Sequence, residues 1–212
     1  MKTVTRLFDN YEDAQAAVSE LEAMGVPHSD VSIVASNAEG VHDHHGPHTG
    51  DAHTGDPEKA AHEARKGASV GGVLGGGAGL LAGLGILAIP GVGPVVAAGW
   101  LVSTVVGAVA GAAAGGAAGG LVGSLTHAGV SEADAHVYAE GVRRGGSLVS
   151  ARVDDADYDG VEAALQRFHA VDATTRGQAY RASGWSQFDP SAPAYTSDQV
   201  VRERSAYVSA PR

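Results

Sequence analysis

The chain has 212 residues, no cysteine and a formal net charge of −10. Without cysteine it has no disulfide, no thiolate metal ligand and no thiol nucleophile. The acidic balance disfavours nucleic acid as a partner, because no segment has the excess of lysine and arginine that holds phosphates. The residues after Met1 reach Arg6 and Asp9 without an apolar run, so no secretory signal is expected there.

The first 36 residues predict a compact βαβ unit. Lys2 to Phe8 is a β-branched and apolar run, which is typical of a strand. A helix ending at Gly25 is expected next, because apolar residues recur there at helical spacing, namely Ala14, Ala17, Val18, Leu21 and Met24. The β-branched run 31–35 then predicts a second strand.

Residues 37–56 are expected to form a flexible, polar linker. This segment contains five histidines, His42, His44, His45, His48 and His53. Histidine-rich tracts can bind zinc, nickel or copper through imidazole nitrogens. The alternative is a solvated linker whose histidines only titrate near neutral pH.

The next feature is an uncharged stretch, residues 67–126, in which glycines recur every four residues. The two series are Gly67, Gly71, Gly75, Gly79 and Gly83, and then Gly99, Gly107, Gly111, Gly115, Gly119 and Gly123. Glycine costs about 1 kcal/mol in an exposed helix, and close helix packing through small residues four apart is the available offset. The pattern predicts an antiparallel glycine-zipper helical hairpin over 57–127, with arms of 57–88 and 94–126 and a turn at 89–94.

Two surroundings suit such a hairpin. Each arm is long enough for the ~20 apolar residues that cross a bilayer. Trp100, the one aromatic residue of the uncharged stretch, would then anchor at a membrane interface. The alternative is a bundle of hairpins from several subunits in a ring or cage. The apolar turn at 89–94 requires a lipid or a protein to cover it.

Residues 128–180 predict a second half of the folded domain. Ser131 is expected to cap a helix that ends at Arg143-Arg144-Gly145. A third strand is expected over 147–153, and a helix after it with an apolar side made of Val161, Ala164, Leu165 and Phe168. Residues 171–178 predict a short fourth strand.

Two βαβ units in one chain predict an α+β fold of the ferredoxin-like kind, with four strands and helices on one face. Strands 31–35 and 148–153 are expected to pair. Residues 37–146 would then be an excursion from one connection of the sheet, with the long Gly/Ala-rich helical hairpin inserted there.

Residues 181–212 are a Pro- and Ser-rich tail that holds several aromatic side chains. The segment 184–190 contains Trp185 and Phe188 and predicts an extended strip that could lie along a neighbouring subunit. The alternative is a disordered tail with incidental aromatic residues.

Motifs for catalysis are weak. Gly67-Ala68-Ser69-Val70-Gly71 matches G-x-S-x-G but lies inside a predicted zipper arm, with no strand before the serine. Asp155, Asp157 and Asp159 resemble the start of a calcium loop, but position twelve is Gln166. We therefore expect no enzyme, no cofactor and no small-molecule substrate.

The start of the chain resembles the heat-induced general stress protein domain of bacteria. The resemblance rests on the opening strand 2–8, on Tyr11-Glu12-Asp13-Ala14 and on the run from Gly25-Val26-Pro27 to Val34. The hairpin followed by residues 138–146 is similar to bacterial proteins that combine this domain with a glycine-zipper insert. The resemblance implies a stress-associated protein and carries over no site residue.

These patterns together predict a structural stress protein. A ferredoxin-like domain on the cytoplasmic face of the inner membrane would insert a self-associating glycine-zipper hairpin into the bilayer. The alternatives are a cytoplasmic homo-oligomer with bundled hairpins, or a metal-binding module that uses the histidines.

Overall fold

A five-stranded antiparallel sheet forms the centre of the protein in the computed structural model, which describes residues 1–40, 85–105 and 120–208. The strands are β1 (Lys2–Phe8), β2 (Val31–Ser36), β3 (Gly85–Ile89), β4 (Gly93–Gly99) and β5 (Ser147–Val153). The helices are α1 (Tyr11–Ala23), α2 (Leu121–His127), α3 (Glu132–Arg143), α4 (Tyr158–Arg167), α5 (Ala173–Ala182) and α6 (Ser197–Val208). Residues 100–105 are also helical.

The strand order across the sheet is β1-β5-β2-β4-β3. β5 pairs with both β1 and β2, so the two strands of the first predicted unit are joined through a strand that lies more than one hundred residues later. Val34 lies opposite Leu148 and Val31 opposite Ala151, which confirms the predicted pairing of these strands.

One face of the sheet is covered by α1 and α4. Alternate strand residues point to this face, because side chains in a strand alternate between its two sides. Val4, Ile33 and Val149 pack here against Leu21 of α1 and Leu165 of α4, and all five are 1 % exposed or less. Met24, which was expected on the apolar side of α1, is instead 45 % exposed.

The opposite face of the sheet is covered by α2, α3, α5 and the helical residues 100–105. Leu7, Val34 and Leu148 point to this face and pack among side chains such as Leu101 and Tyr138. The expectation of helices on one face was therefore wrong. The central strands are buried on both sides, and this is why β2 and β5 are almost continuously apolar or small in sequence.

Residues 85–99 form a β-hairpin, so the prediction that they belong to two helical arms was wrong. β3 pairs antiparallel with β4, and β4 pairs with β2, so the hairpin extends the sheet. β-branched side chains such as Ile89, Val95 and Val96 favour strands, and the turn at 90–92 reverses the chain. The rest of the predicted arms, 57–84 and 106–119, lies outside the described residues.

The tip of this hairpin is covered by the chain's own C-terminal region. Ile89 and Val92 are 3 % and 2 % exposed and share a cluster with Phe188. A Cβ added at Gly91 would lie 2.6 Å from the Cα of Pro190, so the tail passes directly over the tip. A protein segment therefore covers the apolar turn, as the sequence required, and it comes from the same chain.

The predicted fourth strand at 171–178 was wrong. Val171 makes one isolated bridge to Leu7 of β1, and α5 begins two residues later. The cause is Asp172, whose carboxylate accepts hydrogen bonds from the backbone N–H and the hydroxyl of Thr175. This N-cap starts a helix where the β-branched pair Thr174-Thr175 had favoured a strand.

Asp172→Ala is expected to reduce the free energy of unfolding by about 1 kcal/mol, because the cap is lost. Asp172→Asn should retain most of the stability that the cap provides, since asparagine caps a helix equally well. Burial alone would raise the pKa of Asp172, but hydrogen bonds from Thr175 and Thr174 hold it below its ordinary value of 3.8. The contribution of the ionised carboxylate to the free energy of unfolding is therefore complete above pH 3.8, and it is lost as the pH falls through the pKa of the folded state. Urea unfolding at neutral and acid pH measures both effects, and equal stability of the Ala and Asn variants would contradict the cap.

The helices before and after β5 agree with those predicted from the sequence. The Ser131 hydroxyl accepts from the backbone N–H of Asp134, so it caps α3 as predicted. α3 ends at Arg143, and Gly145 follows with a φ of 100°. In α4 the predicted apolar residues Val161 and Leu165 are buried.

The tail forms a C-terminal strap, which we define as residues 184–208. It runs without regular structure to residue 196 and ends in α6. Val200 of α6 is 1 % exposed, and its Cγ1 would lie 2.2 Å from a Cβ added at Gly145. The strap is therefore packed on the domain, and the alternative of a disordered tail does not hold for these residues.

Candidate functional site

Most of the residues singled out in the sequence lie outside the described residues. They are nine glycines of the two series, Gly67, Gly71, Gly75, Gly79, Gly83, Gly107, Gly111, Gly115 and Gly119, and the five histidines of residues 42–53. Gly123 is half-buried in α2, which packs against α3. The described members of the set are Gly99, Gly123, Trp100, Trp185 and Phe188.

Gly99 is not a helix-packing residue, which corrects its assignment to the zipper. It ends β4 with a φ of 92°, in the region that favours glycine. A Cβ there would lie 2.2 Å from the carbonyl oxygen of Val31 and 2.7 Å from the Cα of Ser32. Glycine is required because two strand backbones meet at this point.

Trp100 is bound within the domain. Its Nε1–H donates to the carbonyl oxygen of Asp30 at 3.1 Å. The guanidinium of Arg152 lies 4.8 Å from the centroid of its ring and also donates to the Asp30 carboxylate. The polar group that would face lipid headgroups in an interface anchor is already used inside the protein.

Trp185 and Phe188 pack on their own chain, against the apolar cluster on the face of the sheet that carries Leu7, Val34 and Leu148. Phe188 is 5 % exposed, and Trp185 packs edge-on against Tyr180 with ring centroids 5.6 Å apart. The structure contains one chain, so the predicted contact of these side chains with a neighbouring subunit stays a prediction.

The most unusual polar group on the described residues is Glu140, which is 0 % exposed. Arg143 donates to both of its carboxylate oxygens, at 2.9 and 2.8 Å, and Arg144 donates at 2.6 Å. A buried carboxylate requires such partners because isolated charge is very costly inside a protein. The spacing of three and four residues along α3 places all three side chains on one side of the helix.

This arginine pair connects α3 to the strap. Arg144 lies 3.3 Å from the carboxylate of Glu203 and 4.3 Å from the centroid of the Tyr180 ring. Arg143 lies 4.9 Å from the centroid of the Tyr195 ring. Burial opposes the charged form of Arg144, but hydrogen bonds to Glu140 and the charges of Glu140 and Glu203 raise its pKa above the ordinary value.

A cavity of about 270 Å³ lies beside this network, within the strap. It is lined by Tyr195, Gln199, Arg202 and Glu203. Its lining presents an aromatic ring, an amide, a guanidinium and a carboxylate.

A smaller cleft of about 70 Å³ lies where the strap meets the ends of β2 and α3. It is lined by Tyr11, Glu12, Ser36, Asn37, Glu39, Gly145, Ser147 and Arg204. Arg204 pairs with Glu39 at 2.8 Å and donates to the Gly145 carbonyl at 3.2 Å. Burial, and then the charge of Glu12, raise the pKa of the Tyr11 hydroxyl above its ordinary value.

Residues 3–90 match the family model described as the heat induced stress protein YflT domain. This part of the chain is therefore similar to a YflT domain. No curated protein and no solved structure is significantly similar to the chain. The resemblance to a heat-induced stress protein is thereby confirmed for this part of the chain.

The YflT match includes β1, α1, β2 and β3 but ends before β4. β1 and β2 of the matched part do not pair with each other, because β5 lies between them. The matched part therefore depends on a strand outside the match, and the arginine network and the strap also lie outside it.

The sequence analysis identified neither the Glu140 network nor the cleft beside Arg204. One signal was present, because Glu140 falls among the buried residues of α3 between Ala139 and Gly141. A carboxylate in an apolar helix side with two arginines three and four residues later indicates a buried ion pair. The partners Glu203 and Arg204 come from a distant helix that no local pattern connects to α3.

The expectations of a metal site and of a membrane span can be compared with the described residues 1–40, 85–105 and 120–208. Within them, no group of three or more His, Asp or Glu side chains is arranged to hold a metal ion. No helix in the same ranges combines the length and the apolar character of a membrane span.

Proposed function

We propose that the protein is a non-enzymatic, stress-associated structural protein whose copies associate through the glycine-rich segments around β3 and β4. The YflT domain supports the association with stress. The sheet supports a ferredoxin-like origin, because β1, β5, β2 and the bridge at Val171 follow the order of that fold and β4 with β3 extends it. The glycine series support self-association, because small residues four apart let like helices pack closely.

One observation favours protein contact over lipid for the second series. Its two ends are attached to the domain, with Val105 2 % exposed and Leu121 1 % exposed in the same core cluster. Residues 106–120 between them number fifteen. A single bilayer crossing takes ~20 residues, and returning to the same core would take two.

Gly75→Leu and Gly115→Leu test this proposal. Each is expected to reduce the mass of the detergent-free particle, because a leucine would separate packed helix backbones. Light scattering should give a multiple of 21.2 kDa for the wild-type chain and a lower value for each variant. Gly77→Leu and Ala113→Leu are matched controls. Each position lies midway between two glycines of the four-residue series, so on the predicted helices it lies on another side and its substitution should leave the mass unchanged.

Three results would overturn the proposal. The first is a wild-type chain that is monomeric, and the second is that the Gly75→Leu and Gly115→Leu variants assemble like their controls. The third is flotation of the wild-type chain with vesicles of phosphatidylglycerol and phosphatidylethanolamine that is lost in these two variants, which would favour insertion of the glycine segments into the inner membrane instead.

A further inference from the structure

The C-terminal strap sits in a groove that is shaped for it. Phe188 and Val200 are 5 % and 1 % exposed. Glycines line the groove beneath them, because a Cβ at Gly91 would lie 2.6 Å from Pro190 and one at Gly145 would lie 2.2 Å from Val200. The groove is a specific receptor for this segment, since side chains at those positions would exclude it.

Charges fix the position of the strap at two points. Arg204 of the strap pairs with Glu39 of the body at 2.8 Å, and Glu203 of the strap pairs with Arg144 of the body at 3.3 Å. The two pairs have opposite polarity, with the strap contributing one cation and one anion. This pattern specifies one register of strap on groove.

The docked strap nevertheless leaves polar groups unsatisfied. Four buried side-chain nitrogens on the described residues have no hydrogen-bond partner, and two of them, Nε1 of Trp185 and Nε of Arg204, belong to the strap. A buried donor without an acceptor destabilises the state in which it occurs. Opening of the strap would return both donors to water, which lowers the cost of the opening that any exchange requires.

The strap also begins at a point where the chain can change direction. α5 ends at Ala182, and Gly184 follows with a φ of 88°, where an added Cβ would meet nothing within 4 Å. Residues 185–196 have no strand or helix that would have to melt on opening. The strap can therefore reach a different groove without unfolding the sheet.

We propose that the strap of one copy docks in the groove of a second copy, so that the chain forms a strap-exchanged dimer. The partner is a second copy because the groove fits this strap in shape, register and charge, and exchange reproduces the same contacts between chains. This interface is distinct from the glycine segments and goes beyond the proposed function.

Complementary charge reversal tests the exchange. Glu39→Arg in one chain and Arg204→Glu in another each place like charges at the strap contact, both within one chain and in a dimer of identical chains. In a mixture, both exchanged contacts regain opposite charges. Native mass spectrometry should show at least about tenfold more mixed dimer than dimers of either variant alone, because like-charge contacts strongly disfavour an interface.

The controls separate this interface from the glycine segments. Glu39→Arg mixed with an isotope-labelled copy of itself should form little mixed dimer, whereas association through glycine segments would mix these chains freely. A mixture of complementary variants with no more mixed dimer than the labelled control would overturn strap exchange.

Discussion

Replacing Glu140 by alanine is expected to cost about 3–5 kcal/mol of folding stability, the usual loss when one partner of a buried charge network is removed. Glu140 is fully buried and accepts hydrogen bonds from both Arg143 and Arg144. Its loss leaves two partly buried guanidinium groups without their shared counter-ion. Urea unfolding monitored by far-UV circular dichroism measures the change in the free energy of unfolding.

Glu203→Ala is the matched control for this variant. It removes a carboxylate from the same arginine, but the Glu203 side chain is 26 % exposed and its contact with Arg144 is 3.3 Å long. A loss of at most about 1 kcal/mol is expected, as for other exposed ion pairs. Similar losses in the two variants would show that burial of Glu140 is not what makes the network important.

Gly99→Ala is expected to cost about 2–5 kcal/mol, which combines the left-handed backbone with steric overlap. The new Cβ would lie 2.2 Å from the Val31 carbonyl oxygen and 2.7 Å from the Ser32 Cα, and both neighbours are backbone atoms in a central strand. Neither can rotate away. Thermal unfolding measures the loss, and proteolysis of the hairpin should become faster because β4 is the strand displaced.

Gly129→Ala separates the two causes. Gly129 has a φ of 93°, almost the same as Gly99, but an added Cβ would meet nothing within 4 Å. It should cost only about 1–2 kcal/mol, the price of the backbone conformation alone. If the two alanine variants were equally stable, the close approach of β4 to β2 would have no energetic importance.

The sequence predicts the elements whose pattern is local. β1, α1, β2, α3, β5 and α4 all show a clear period or a recognisable cap, and the structure confirms them. The Ser131 cap is a good case, because a serine followed by acidic residues marks a helix start by its own chemistry. Such signals depend on neighbouring residues and are independent of the rest of the fold.

The β3–β4 hairpin shows why a period can mislead. The spacing of small residues four apart continues through Gly99 and Ser103. This spacing favoured a helix, although the short apolar runs 85–89 and 93–99 also fit strands. Apolar runs of this length do not distinguish a helix from a buried strand. The deciding factor is the open edge of β2, which offers backbone hydrogen bonds to β4 and is created only when the sheet is assembled.

The strap and the arginine network could not be predicted for a related reason. Trp185 and Phe188 were recognised as anchors, but a sequence does not show whether an anchor binds its own chain or another. Glu203 and Arg204 look like surface charge in α6. Their partners Arg144 and Glu39 lie far away in sequence, and the contacts exist only because α6 crosses the ends of β2 and α3.

The placement of the two tryptophans gives the protein a built-in pair of optical reporters. Trp100 lies against Asp30 and Arg152, while Trp185 lies against Tyr180 at the start of the strap. A phenylalanine at either position leaves one indole whose fluorescence reports on a single location. During a temperature ramp, emission from one such chain would record departure of the tail, and emission from the other would record disruption of the sheet, so the sequence of events under heat can be read without any attached dye.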